Sequence, residues 1–248
     1  LAPDLITFDG VVAGYGALTI LNELSFSVRQ GEITLLIGPN GAGKSTVLKT
    51  LFGLAPPRAG AIRFKGRAVG GSTPAAMLRQ GIAFVPQGRN LFASLSVRHN
   101  LELGAITLPP GQRKARFDEA IARFPHLQQR IDNQASTLSG GEQKQLEIAR
   151  ALQLRPDVIL IDEPSIGLSP IVNQQVFALL RDLANGGATI LMVEQNVRAA
   201  LAVSDRVLLL ESGRLMLDSP AGTLLDDPDL NRVFLGKTIA HGPGGAVR

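Results

Sequence analysis

The sequence predicts an α/β fold built around a largely parallel sheet. Strand-length apolar runs alternate with helix-length amphipathic stretches along 248 residues. Ile33–Ile37 is nearly continuously apolar, with Thr34 the one polar residue, and Val158–Ile161 wholly so, as strands buried on both faces should be. Between the first of them and a helical stretch, Gly38-Pro39-Asn40-Gly41-Ala42-Gly43-Lys44-Ser45 fills the pattern G-x-x-x-x-G-K-[ST]. A mainly helical stretch from about Ser94 to Leu154 interrupts the alternation, so a helical insertion is expected within the α/β frame.

Ile6-Thr7-Phe8 and Leu24–Val28 alternate apolar and polar, the mark of half-buried antiparallel strands, and Gln30-Gly31 turns the chain. A helix is expected from Lys44 to about Gly53, a turn at Pro56–Gly60 and a strand at Ala61–Lys65. Thr73-Pro74 reads as an N-cap with proline at the first helical position. Ile82–Val85 is a strand that Pro86 ends. Ser96–Leu103 and Arg113–Phe124 are expected helices, with Pro109-Pro110-Gly111 as the break. Ser169-Pro170 caps a helix running to about Ala184, and Gly186-Gly187 ends it. Ala188–Val193 is a strand and Val197–Ala202 a helix. Ser212-Gly213 joins Arg206–Leu210 to Arg214–Leu217 as a hairpin. Asp227-Pro228 opens a last helix that Gly236 closes, and the tail from His241 is expected to be mobile.

Composition narrows the classes. The chain is 45% hydrophobic and 19% charged, which is globular. Its apolar runs fall short of a membrane span, and Leu1–Asp9 lacks the basic and apolar regions of a secretory signal. The chain begins without an initiator methionine, so a trimmed terminus is expected. Net charge is +4, with the basic residues scattered, so no nucleic-acid partner is expected. Zero cysteines exclude disulfides, thiol catalysis and cysteine-held metals, and His99, His126 and His241 are far apart in sequence.

The Gly38–Ser45 loop exposes N–H groups that suit phosphates. In that pattern Lys44 reaches the β- and γ-phosphates and the Ser45 hydroxyl ligates Mg²⁺. Val158–Ile161 ends in Asp162-Glu163: the first carboxylate suits a Mg²⁺-bound water, and the second a base for an attacking water. Leu138-Ser139-Gly140-Gly141-Glu142 carries the S-x-x-E spacing of a capping box, so a helix should start there. Its two glycines admit a close backbone, and its first turn suits phosphate.

Together these motifs resemble the ATP-binding cassette (ABC) ATPases over about residues 4–236. The resemblance implies the P-loop ABC-ATPase fold: a mixed or parallel core sheet, an antiparallel β subdomain and a helical subdomain. It places the ATPase domain at 1–236, with the helical part inserted at about 90–155, and leaves 237–248 as a flexible C-terminal tail. Leu138–Gln143 is similar to the family signature, Gly38–Ser45 to Walker A and Val158–Asp162 to Walker B. Ser165-Ile166-Gly167-Leu168 matches the D-loop. By resemblance Gln87 touches Mg²⁺ and the attacking water, and Tyr15 stacks on adenine. Gln195 stands where most of the family has a histidine against the γ-phosphate.

The implied cofactors are ATP and Mg²⁺. The nucleotide is expected to contact Tyr15, Gly38, Pro39, Asn40, Gly41, Ala42, Gly43, Lys44, Ser45, Thr46, Gln87 and Asp162, together with Ser139, Gly140 and Gly141. Metal contacts are expected from Ser45, Gln87 and Asp162, and catalysis from Glu163, Gln195, Lys44 and Gln87. The family pairs ATPase subunits head to tail, so Ser139–Gly141 would serve a nucleotide held by a second subunit. The implied partners are that subunit, transmembrane permease subunits and, indirectly, an extracytoplasmic solute-binding protein. The implied location is the cytoplasmic face of the membrane.

Glu194-Gln195-Asn196, Pro86-Gln87-Gly88-Arg89 with Leu91-Phe92, Ser165–Leu168 and Phe234-Leu235-Gly236 resemble one importer branch. It is the second ATPase subunit of branched-chain amino acid importers and its relatives in urea and short-chain amide importers. Gln87 is the urea-like choice, because many branched-chain members carry glutamate there. A lipopolysaccharide-type exporter ATPase shares the Asn196-Val197-Arg198 region but has histidine at position 195. A cytosolic ABC ATPase acting on ribosomes or DNA fits least, for the chain has one cassette and no heptads.

Overall fold

The computed structural model describes residues 3–88 and 90–226. Arg89 lies outside them, as do the expected helix from Asp227, the Phe234-Leu235-Gly236 ending and the tail. No described helix is long and apolar enough to cross a membrane.

Two sheets share the chain. The strands β1 (Asp4–Tyr15), β2 (Leu18–Arg29), β4 (Ala59–Phe64) and β5 (Arg67–Ala68) form an antiparallel sheet in the order β2-β1-β4-β5. The second sheet runs β10-β9-β3-β8-β7-β6. It consists of β3 (Ile33–Ile37), β6 (Ile82–Val85), β7 (Val158–Asp162), β8 (Thr189–Val193), β9 (Arg206–Glu211) and β10 (Arg214–Pro220). All of its pairings are parallel except that of β10 with β9.

The continuous apolar runs have the predicted meaning. In β3, Ile33, Leu35 and Ile37 enter one core cluster while Leu36 enters the other. Along β7, Ile159 and Ile161 face one side and Val158 and Leu160 the other. Period-2 alternation thus buries both faces. One cluster holds apolar residues of α6 (Gly140–Leu152) and α7 (Pro170–Asn185). The other holds Val47, Leu48 and Leu51 of α1 (Lys44–Leu51) with the inner face of β1 and β2.

Thr73 caps α2 (Pro74–Gln80) by accepting from the Ala76 N–H, and Ser96 caps α3 (Val97–Gly104) through the His99 N–H. The Pro109-Pro110-Gly111 break needs correction: Pro110 is the first residue of α4 (Pro110–Ala122). Proline at N1 loses no intrahelical bond and is preset for helical φ, so it starts the helix instead of delaying it. Short elements without periodicity escaped the sequence reading: β5, α5 (Pro125–Gln129), a 3-10 turn at Ala135–Thr137 and α9 (Ala221–Asp226).

The Ser212-Gly213 hairpin does more than return the chain. Both residues have positive φ, as a two-residue I′ turn requires. The Gly213 N–H donates to the Ala42 carbonyl and its own carbonyl accepts from the Asn22 N–H, so the turn braces the glycine-rich loop against β2. A Cβ on Gly213 would lie 1.9 Å from the Ile20 carbonyl oxygen, a contact no side chain tolerates.

A candidate nucleotide-hydrolysing site

Strand order gathers the motifs. The strands β3, β8, β7 and β6 lie side by side and parallel. The Gly38–Ser45 loop leaves the carboxyl end of β3, and Gln195 follows β8. Asp162-Glu163 ends β7, and Gln87 follows β6. Ligands of open α/β sheets bind at this edge.

The glycine-rich loop enters α1 through Gly43, an N-cap in the left-handed region with no side-chain cap, which leaves the first helical N–H groups facing the loop's concavity. Asn40, Gly41, Gly43, Lys44, Ser45 and Thr46, with Ile20 and Glu163, line a cavity of about 210 Å³. Pro39 and Ala42 complete the loop, and the Ala42 N–H donates to the Pro39 carbonyl. The Lys44 ammonium is buried and donates to the Gly38 and Pro39 carbonyls at 2.8 and 3.1 Å. Burial pulls its pKa below the ordinary lysine value, against the opposing pull of Glu163 and Asp162.

The Ser45 hydroxyl donates to Asp162 Oδ1 at 3.0 Å. Burial raises the Asp162 pKa; the Ser45 bond opposes this, the neighbouring Glu163 charge adds to it, and Lys49 and Lys44 oppose it. Glu163 is 7% exposed, and a carboxamide clamps each carboxylate oxygen: Gln195 Nε2 donates to Oε1 and Gln87 Nε2 to Oε2, both at 2.6 Å. Residues 76 and 32 positions from Glu163 thus meet on one carboxylate.

Tyr15 ends β1 at the tip of the β1–β2 hairpin and is exposed; Ile20, which lines the cavity from β2, was not foreseen. The capping box at Ser139 is formed as read. Glu142 N–H donates to the Ser139 hydroxyl, and the Ser139 N–H donates to the Glu142 carboxylate at 2.8 Å. The Glu142 pKa lies below the ordinary glutamate value: burial raises it, and the bonds with Ser139 together with the Arg130 and His126 charges more than offset that. The neighbour that requires glycine at position 141 is a side chain, not a backbone: a Cβ there would sit 2.2 Å from Val172 Cγ1 at the start of α7. None of Ser139, Gly140 or Gly141 lines the cavity.

A glycine-rich phosphate loop, a serine–aspartate pair and a clamped glutamate at one sheet edge define a P-loop nucleoside triphosphate hydrolase. The ABC transporter family model matches residues 21–166. The high-affinity branched-chain amino acid transport ATP-binding protein BraG of Pseudomonas aeruginosa is 40% identical over 232 residues, spanning 94% of this chain and 100% of that protein. The probable branched-chain amino acid transport ATP-binding protein LivF of Archaeoglobus fulgidus is 39% identical, spanning 90% of this chain and 95% of that one. The crystal structure of the ADP conformation of MJ1267, an ATP-binding cassette of an ABC transporter, superposes with a TM-score of 0.85 at 25% identity, covering 95% of this chain and 100% of that one. The chain belongs to the ABC transporter family and is one of its ATPases.

Proposed function

We propose that the chain is the ATP-hydrolysing subunit of a membrane importer for branched-chain amino acids. The observation that supports hydrolysis here is the Gln87–Glu163–Gln195 clamp beside the phosphate loop. The cargo rests on the likeness to BraG and LivF.

In this reading Gly38–Thr46 cradles the ATP phosphates, Lys44 offsets their charge and Tyr15 stacks on adenine. The groups available for Mg²⁺ are the Ser45 hydroxyl, the Asp162 carboxylate and the Gln87 carboxamide oxygen. The described residues hold no cluster of three or more His, Cys, Asp or Glu that could cage an ion. Hard oxygen donors with a single carboxylate fit Mg²⁺, which keeps waters and takes its remaining ligands from phosphates. Bound there, it would neutralise charge on the β- and γ-phosphates.

Glu163 accepts the proton of the attacking water, and Gln87 and Gln195 keep its two oxygens aimed. Most of the work is positioning and charge stabilisation. Ser139–Gly141 completes the ATP site of a second ATPase subunit, and the chain works at the cytoplasmic face of the membrane. There the exposed Phe92 and Ile106 rim a cavity of about 290 Å³ between the loop after β6 and the helical insertion, the surface for the permease. The solute-binding protein acts through that permease.

Cells lacking this chain are expected to lose high-affinity uptake of labelled leucine, isoleucine and valine, with wild type but not Glu163→Gln restoring it. Selective loss of urea or acetamide uptake would replace the cargo.

Glutamine at position 195 carries no charge at any pH. Gln195→His would introduce a group titrating near ~6.5, cationic below that value. The ratio of variant to wild-type kcat is expected to fall as pH rises through that range, because the positive charge beside the γ-phosphate is lost. A flat ratio between pH ~5.5 and ~7.5 would show that charge at this position does not matter.

A further inference from the structure

Glu194, next to Gln195, is 2% exposed and its carboxylate gathers three backbone donors. Oε1 accepts from the Ser165 N–H at 2.8 Å. Oε2 accepts from the Gln195 and Asn196 N–H groups at 2.8 and 2.9 Å. Both of its oxygens are thus taken up by backbone N–H groups of the two turns beside the cavity.

Its partners make the contact informative. The Glu163 N–H donates to the Val193 carbonyl, Pro164 has no N–H, and the Ser165 N–H goes to Glu194. Every backbone donor of residues 163–165 is therefore held by residues 193–194. Glu163 itself sits at φ 49, a left-handed conformation that a non-glycine residue keeps only when its surroundings impose it. The same carboxylate fixes the two amides that follow it, and so sets where the Gln195 side chain departs toward Glu163.

We propose that Glu194 is a positioning residue for hydrolysis: its carboxylate ties the turn that carries Glu163 to the turn that carries Gln195. The inference rests on the reading of Glu163 as the base. It also explains the residue type. Three converging N–H donors require a group that only accepts, which a carboxylate is and a carboxamide is not. With glutamine an NH₂ would face at least one N–H, and the two turns would shift apart. Small misplacements of reacting groups are costly, on the order of 10²-fold in rate for 1 Å.

The test compares steady-state ATPase kinetics of the full chain as wild type, Glu194→Gln and Glu163→Gln, with the folded state checked by circular dichroism. Glu194→Gln is expected to lower kcat by ~10- to 100-fold with KM for ATP within about twofold. Wild-type kcat in Glu194→Gln beside an inactive Glu163→Gln overturns the positioning role and leaves the base in place. A raised KM at unchanged kcat also overturns it, since the residue would then serve only binding. Activity retained in Glu163→Gln overturns the site reading itself. Should Glu194→Gln fail to fold, Glu194→Asp carries the test. It keeps the charge but is one methylene too short to span both turns, so a lower kcat at constant KM supports the role and wild-type kinetics overturn it.

Discussion

Replacing Glu163 by glutamine is expected to lower steady-state ATP hydrolysis by at least ~100-fold and to leave the dissociation constant for ATP within about twofold. The substitution conserves volume but removes the carboxylate charge, and with it the capacity to take a proton. The hydrogen bonds of the phosphate loop go elsewhere: Lys44 holds the Gly38 and Pro39 carbonyls, and Ser45 pairs with Asp162. Binding should therefore persist while chemistry stops. The carboxamides of Gln87 and Gln195 both donate to Glu163, so the variant keeps an oxygen for one of them and loses the other bond. ATP binding by equilibrium titration and turnover by phosphate release separate the two effects. Turnover near the wild-type rate would remove Glu163 as the base.

Much of this site was legible because each motif sits where a strand ends. The glycine-rich loop follows a run of apolar residues, and so does Asp162-Glu163; both runs proved to be strands buried on two faces. The capping box at Ser139 was legible because its partners are three residues apart. What sequence could not supply was adjacency. Nothing local says that β8 lies between β3 and β7, yet that order brings Gln195 to Glu163. Glu194 escaped for the same reason: its link to the other turn exists only because Ser165, 29 residues away, meets it at the ends of neighbouring strands. Ile20 entered the cavity from a different sheet, and the pressure on Gly141 came from Val172 on α7, which no pattern in the signature reveals. The start of α4 was misplaced because Pro110 is a breaker inside a helix and an initiator at its first turn.

Lys44→Met and Ser139→Arg are each expected to be inactive alone and to recover activity when mixed. The cavity around Lys44 is lined by the loop, Ile20 and Glu163, and the signature residues are not among its walls. Ser139 caps α6, whose first turn presents N–H groups of the kind that bind phosphate, with an exposed capping box on that end. If those groups complete the site of a second subunit, a chain with a ruined phosphate loop still offers a sound signature, and the reverse holds for its partner. In a two-fold dimer each mixed pair then contains one intact site, formed by the loop of the Ser139→Arg chain and the signature of the Lys44→Met chain. Random re-pairing should restore about a quarter of wild-type turnover, because half the dimers are mixed and each has one of two sites working. The arginine also removes a cap, at a cost of ~1 kcal/mol, so folding of each variant is to be checked by thermal melting first. A chain that used its own signature would give no such rescue, since each variant would carry its own fatal lesion; a mixture as inactive as its components would therefore return Ser139–Gly141 to the role of a plain helix start.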